Sequence, residues 1–182
     1  MKLAKINTSM VVAGSAVLIS ACALLISIQE MHIMRTQQKA LMYPYVTTDM
    51  FYNGVGFGFR IKNSGNGLAK VNSYQLYSDD GIYFDNWLEV TQHYMPEVEG
   101  INYNVIQTAG NIRNEMIVPR DEVTLFFLNW TPEIRKYESS MRSLNIKVCY
   151  SSLLGEHWEI IEGIPTPVEE ACQPDPQKEF DR

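Results

Sequence analysis

The sequence predicts an N-terminal transmembrane helix joined to an all-β domain, an antiparallel β-sandwich of immunoglobulin-like character with two short helices. Three observations carry this. Residues 6 to 29 hold no charged side chain, and Met10 to Ile28 is almost continuously apolar. From Tyr45 onward the apolar residues alternate, as half-buried strands require. Turn-forming clusters such as Asn53-Gly54, Asn63-Ser64-Gly65-Asn66-Gly67 and Asp79-Asp80-Gly81 punctuate the alternation.

The 24 uncharged positions reach roughly 36 Å as a helix, enough for a hydrocarbon core about 30 Å thick. Gln29 to Leu41 lacks Gly and Pro and is rich in helix formers, so the helix continues as a stalk. Pro44 ends it by forcing Tyr43 toward extended geometry. The expected organisation is a cytoplasmic N-terminus (1–7), a span (8–29), a stalk (30–42), a sandwich ectodomain (43–162) and a Pro-rich acidic tail (163–182).

Lys2 and Lys5 lie close before the span, whereas Arg35 and Lys39 lie further beyond it. This bias favours an inner-membrane, single-pass protein with its ectodomain in the periplasm or otherwise outside the cytoplasm. The apolar run is too long for ordinary signal cleavage. Ile19-Ser20-Ala21-Cys22 resembles a lipobox, which makes Cys22 a candidate acylation site. The apolar residues that continue to Ile28 favour a retained helix. Within the span, Ser9, Ala13, Ala16, Ser20, Ala23 and Ser27 recur at steps of 4, 3, 4, 3 and 4. Such a stripe lets helix backbones approach closely in lipid, so a second copy or another membrane protein is the expected partner beside the bilayer itself.

The chain has 15 basic and 21 acidic residues. The first 42 positions hold four basic and one acidic (net +3), leaving 11 and 20 in the remainder (net −9). So acidic an ectodomain argues against nucleic acid as a partner. Cys149 and Cys172 fit one disulfide in a translocated domain, with two free thiols as the alternative.

Strands are expected over Tyr45–Phe51 and Val55–Ile61, joined at Asn53-Gly54, and over Ala69–Tyr77. Asp85 is placed as cap of a short helix whose inner side carries Trp87, Val90, Thr91 and Tyr94, with Pro96 at its end. Further strands are expected near Tyr103–Gln107 and Glu115–Val118. Val123–Trp130 is the most apolar strand and is placed centrally. Thr131 and Pro132 open a second helix through Met141. Leu144, Ile146, Val148 and Tyr150 then alternate, and His157–Ile161 carries Trp158 and Ile160 on one face. On that alternation Cys149 faces away from the core.

Tyr43-Pro44-Tyr45, then Asn63, Gly65, Gly67 and Ala69, then Cys149-Tyr150-Ser151-Ser152 with Trp158, and Pro165-Thr166-Pro167-Val168 before Cys172 form a recurring order. In this the chain resembles a group of uncharacterised bacterial single-pass membrane proteins with an extracytoplasmic β-sandwich. The resemblance implies an anchored all-β ectodomain and no activity. Leu68 stands where the group often has Pro.

Chemistry is sparse. His32, His93 and His157 have no partner at metal-ligand spacing, Asp79, Asp80 and Asp85 lack the spacing of a calcium loop, and Gly54, Gly56 and Gly58 lie in strand alternation rather than before a helix. No catalytic, cofactor or metal residues are assigned, and the expected function is a non-enzymatic binding or assembly module. The alternatives are an accessory or sensor subunit acting through its span, a lipoprotein acylated at Cys22, and, third, a hydrolase with a dispersed site. Tyrosines left on a sheet face would supply a contact surface.

Overall fold

The computed structural model describes residues 8–97 and 111–180. It contains two compact units, Met1–Leu41 and Met42–Arg182. The first is built on one helix, α1 (Thr8–Leu41), so the expected span and stalk are a single unbroken element. It is long and apolar enough to cross a membrane, and its apolar window is fully exposed.

The second unit is mostly antiparallel sheet. β1 (Val46–Tyr52) and β2 (Gly56–Asn63) form the expected hairpin. The two-residue loop is Gly54-Val55, and Asn53 precedes it. Asn53 Oδ1 accepts from the N–H groups of Val55 and Gly56, both at 2.8 Å. β3 (Ala69–Ser78), the two-residue β4 (Tyr83–Phe84), α2 (Trp87–Tyr94) and β5 (Met116–Ile117) follow. Asn86, not Asp85, caps α2, because its side chain is the one that reaches the Glu89 N–H. Trp87, Val90, Thr91 and Tyr94 are buried as expected. The strand expected at Tyr103–Gln107 lies outside the described residues.

β6 (Glu122–Asn129) corrects the sequence reading: it is the last strand of a three-stranded sheet ordered β1-β2-β6, and β2 is the central one. Its apolarity has a local cause. The register slips between Phe59 and Arg60, leaving Leu125 as an extra residue. A bulge turns two consecutive side chains the same way, so Leu125 and Phe126 both enter the core. Phe127 is sent to the other face, where it stacks on Phe51 at 5.8 Å.

Thr131 caps α3 (Pro132–Tyr137), with Pro132 at its start. This second helix is shorter than expected. It stops before Ser139-Ser140, residues whose hydroxyls compete for the backbone, and a 3-10 turn (Ser140–Ser143) carries the chain onward. β7 (Leu144–Ser152), β8 (His157–Ile161) and β9 (Ile164–Val168) complete a six-stranded sheet in which β4-β3-β7-β8-β9 run in that order and β5 also pairs with β3. The expected tail therefore begins as a sheet strand.

One buried cluster draws on both sheets. Phe57, Phe59, Ile61 and Phe126 come from the first, and Val71, Tyr74, Leu76, Ile146, Val148 and Ile160 from the second. Trp87 bridges them, stacking on Phe126 at 4.5 Å.

The start of this unit is held by a fully buried Asn63. Its Oδ1 accepts from the N–H groups of Tyr45 (3.3 Å) and Gly65 (3.0 Å). Its Nδ2 donates to the carbonyls of Gly67 (2.7 Å) and Ile117 (3.1 Å). A side chain on Gly65 or Gly67 would overlap the main chain of Met42–Tyr45, so the close approach needs glycine. Tyr150 adds a second tie, its hydroxyl accepting from the Val46 N–H and donating to the Pro44 carbonyl, both at 3.4 Å.

Replacing Asn63 by Ala strands two carbonyls in the interior and removes the partner of two half-buried N–H groups. At about 1–3 kcal/mol for a buried unsatisfied group, with partial relaxation, the loss is about 3 kcal/mol. The unfolding transition of the β domain, in the full chain in detergent, should fall by roughly 10 °C in a calorimetric scan. A shift of under about 2 °C would show that the clasp is not what holds the strand start.

Candidate interaction site

The cysteines expected to pair do so. Cys149 and Cys172 form a disulfide with a Cα–Cα distance of 6.1 Å across 23 residues. Cys149 does face away from the core, yet it is only 2% exposed, because the C-terminal segment covers it. Glu159 brings a carboxylate near both sulfurs. Since the sulfurs are bonded to each other, neither offers a thiolate to a metal. Cys22 is free and exposed on α1. Ser9, Ala13, Ala16, Ser20, Ala23 and Ser27 are all exposed on that helix. Ser20 Oγ donates to the Ala16 carbonyl of its own helix at 2.8 Å.

The tyrosine-rich first half divides between core and surface. Tyr74 is fully buried, whereas Tyr43, Tyr45 and Tyr52 are exposed. Of the three histidines, His93 packs beside Phe84 and Tyr94. His157 has a buried Nδ1 with no hydrogen-bond partner among the described residues. Asp79 accepts from Asn145 Nδ2 at 2.7 Å. Asn129 ends β6 just before the α3 cap.

The C-terminal segment is the part that sequence reasoning missed. After β9, at one end of the sheet, it is pinned to β7 by the disulfide and ends at β3. There Glu179, 2% exposed, accepts from Ser73 Oγ (2.5 Å), the Tyr74 N–H (3.0 Å) and Gln75 Nε2 (3.1 Å). The Phe180 N–H donates to the Tyr74 carbonyl at 2.8 Å, and its ring enters the core against Tyr74 and Trp87. The segment thus fills the edge of β3 between β5 and β4. One Glu-Phe pair in an acidic tail offers no periodicity, so no sequence pattern announces it.

A second missed feature is a groove of about 400 Å³ beside β1. Met50, Phe59, Leu144 and Ile146 give it an apolar floor, and Asp49, Arg142 and Glu162 stand around it. Arg60 ties Asp49 at 2.7 and 2.8 Å and also grips Glu122 at 3.0 Å. Its hydrogen bonds to the Asp49 carboxylate chiefly raise the Arg60 pKa, keeping the guanidinium charged. Tyr52 donates to Glu138 at 2.7 Å, which together with Arg142 lowers the Glu138 pKa against the opposing effect of burial. Burial and then Glu138 raise that of Tyr52.

The groove runs along the outer edge of β1. Ser64 N–H donates to Tyr45 O at 2.8 Å, and Asn53 N–H donates to Gly56 O at 2.9 Å. By antiparallel alternation the odd-numbered β1 residues bond to β2, and Val46, Thr48, Met50 and Tyr52 turn their N–H and C=O groups outward. Val46 is met by Tyr150. Thr48 is met by the β8–β9 turn, Glu162-Gly163, both at positive φ (53° and 79°) as a tight hairpin needs. A Cβ on Gly163 would sit 2.6 Å from the Thr48 carbonyl oxygen. Beyond this contact the edge opens onto the groove.

The strap can be tested separately. In the oxidised full chain Phe180→Ala should cost about 3 kcal/mol, as for other buried Phe truncations. Without the tether, docking the segment pays a loop-closure cost of about 3 kcal/mol itself. In Cys149→Ser/Cys172→Ser the same Phe180→Ala change should therefore cost markedly less. Equal losses in both backgrounds, measured by denaturant unfolding, would show that disulfide and ring act independently.

No curated protein and no solved structure matches the chain significantly. A family model described as Domain of unknown function (DUF8453) matches residues 6–162. The match starts at the beginning of the uncharged run, takes in α1 and the Asn63 clasp, and ends in the β8–β9 turn beside the groove. Helix and sheet domain are therefore one unit of descent, and the chain belongs to the DUF8453 family.

Proposed function

We propose that the protein is a membrane-anchored, extracytoplasmic binding or assembly module without catalytic activity. Helix α1 is the single-pass anchor, and the two sheets form an immunoglobulin-like sandwich facing the periplasm or the exterior. The observation that carries this reading is a 34-residue helix, exposed along its apolar length, that precedes a disulfide-closed β domain. A disulfide between Cys149 and Cys172 fits an oxidising compartment. Lys2 and Lys5 before the span support an N-terminus inside. The likeness to bacterial single-pass proteins supports the inner membrane as the location.

The small-residue face of α1 supports a second copy, or another membrane protein, as the partner within the bilayer. Ser9, Ala13, Ala16, Ser20, Ala23 and Ser27 lie at helix-packing spacing. This face equally suits an accessory or sensor subunit, the second reading. Acylation at Cys22 is the third, favoured by its exposure and its Ile19-Ser20-Ala21 approach.

Topology is tested by cysteine labelling in spheroplasts. An impermeant maleimide should label Lys70→Cys without permeabilisation and Lys5→Cys only after it. The reverse pattern would overturn the reading. Incorporation of labelled palmitate that is lost in Cys22→Ala would replace the retained helix by a lipoprotein.

The stripe makes its own prediction. Leucine at both Ala16 and Ser20 should prevent close helix approach and weaken association in the membrane by about tenfold, read by energy transfer between labelled copies or by co-purification in mild detergent. Unchanged association would remove the stripe as a contact.

A further inference from the structure

We propose that the open stretch of β1, Met50 to Tyr52, is a strand-addition site. It takes an extended peptide segment that places an apolar side chain in the groove and a lysine or arginine beside Glu162. This rests on the reading of the domain as a binding module and names the partner of that module.

Two other exposed main-chain edges, β9 and the β3 gap, are closed by identifiable devices. β9 ends the six-stranded sheet. Its turn closes on Ile161 and Ile164, so Ile164, Thr166 and Val168 direct their main chain to β8. Pro165 and Pro167 then face outward, where a strand would look for N–H donors and find none. At β3 the gap between β5 and β4 is filled by main chain at Val71 and by Glu179 and Phe180 at Tyr74. Both devices remove a template for strand pairing.

β1 is treated differently. The Val46 N–H donates to the Tyr150 hydroxyl, and the close approach of Gly163 covers the Thr48 carbonyl. The outward groups of Met50 and Tyr52 have no hydrogen-bond partner among the described residues and border the groove of about 400 Å³. Residues 50 and 52 are one pleat apart, the spacing at which an added strand exchanges main-chain bonds. Apolar Met50, Phe59, Leu144 and Ile146 supply a pocket for one of every two side chains of the incoming strand.

The charges around the groove select its occupant. Asp49 is held by Arg60, and Arg142 by Glu138 at 3.0 Å. Glu162 has no ionic partner among the described residues, and it projects from the same turn that bounds the open edge. The domain around it carries a net −9. A cationic residue adjacent to the buried apolar one is therefore favoured, and an acidic segment is repelled.

The test uses the full chain in detergent micelles and a capped octapeptide of alternating valine and lysine. Amide exchange at Met50 and Tyr52, followed by NMR, should slow by about tenfold when the peptide is present in excess. A peptide of alternating valine and glutamate should give no protection, and neither should the valine–lysine peptide N-methylated at alternate residues. Met50→Pro imports into β1 the device used in β9 and should abolish protection at Tyr52. Glu162→Lys leaves the edge intact and should weaken binding by about fivefold at low salt. If Met50→Pro does not fold, the N-methylated peptide and Glu162→Lys decide. Absence of protection in the native chain, equal protection by the N-methylated peptide, or slow exchange at Met50 and Tyr52 before any peptide is added would each overturn the proposal. Membrane orientation plays no part in this measurement, so an inverted topology would leave the site standing, and a failed site would leave the topology standing.

Discussion

The β domain depends on where its chain begins, and that point is set by the side chain of Asn63. A carboxamide has two acceptor sites and two donors, and here all four are used, on Tyr45, Gly65, Gly67 and Ile117. These partners lie before β1, in the β2–β3 turn and in β5, so one side chain fixes three segments that are remote in sequence. Because Asn63 is fully buried, losing it would leave desolvated main chain and not a rehydrated surface. Gly65 and Gly67 belong to the same device, since only a bare Cα lets the turn come so near Met42–Tyr45. An Asn-x-Gly-x-Gly spacing is thus a packing requirement.

Once the start is fixed, the domain must manage the edges of its sheets. It does so with three chemistries. Proline removes donors on β9. A carboxylate, Glu179, satisfies the Tyr74 N–H on β3 where a strand carbonyl would otherwise sit. A left-handed glycine, Gly163, brings a turn against Thr48. The disulfide makes the second of these effective: it anchors the segment at β7, so that Glu179 and Phe180 need close only a short remaining stretch.

Much of this was legible in the sequence, and the parts that were not have identifiable reasons. Helix α1, the β1–β2 hairpin, the buried side of α2 and the alternation of Leu144, Ile146, Val148 and Tyr150 follow from local periodicity, which one strand or helix carries by itself. Continuous apolarity in β6 predicts a central strand. The bulge at Leu125 produces the same signal on a terminal strand. Pro165 and Pro167 look like breakers and so predict a tail, yet at outward positions of an outer strand they are permitted. The groove edge was invisible for a deeper reason. Whether Met50 and Tyr52 find partners depends on β7 and on the β8–β9 turn, roughly a hundred residues away, and no local pattern encodes that.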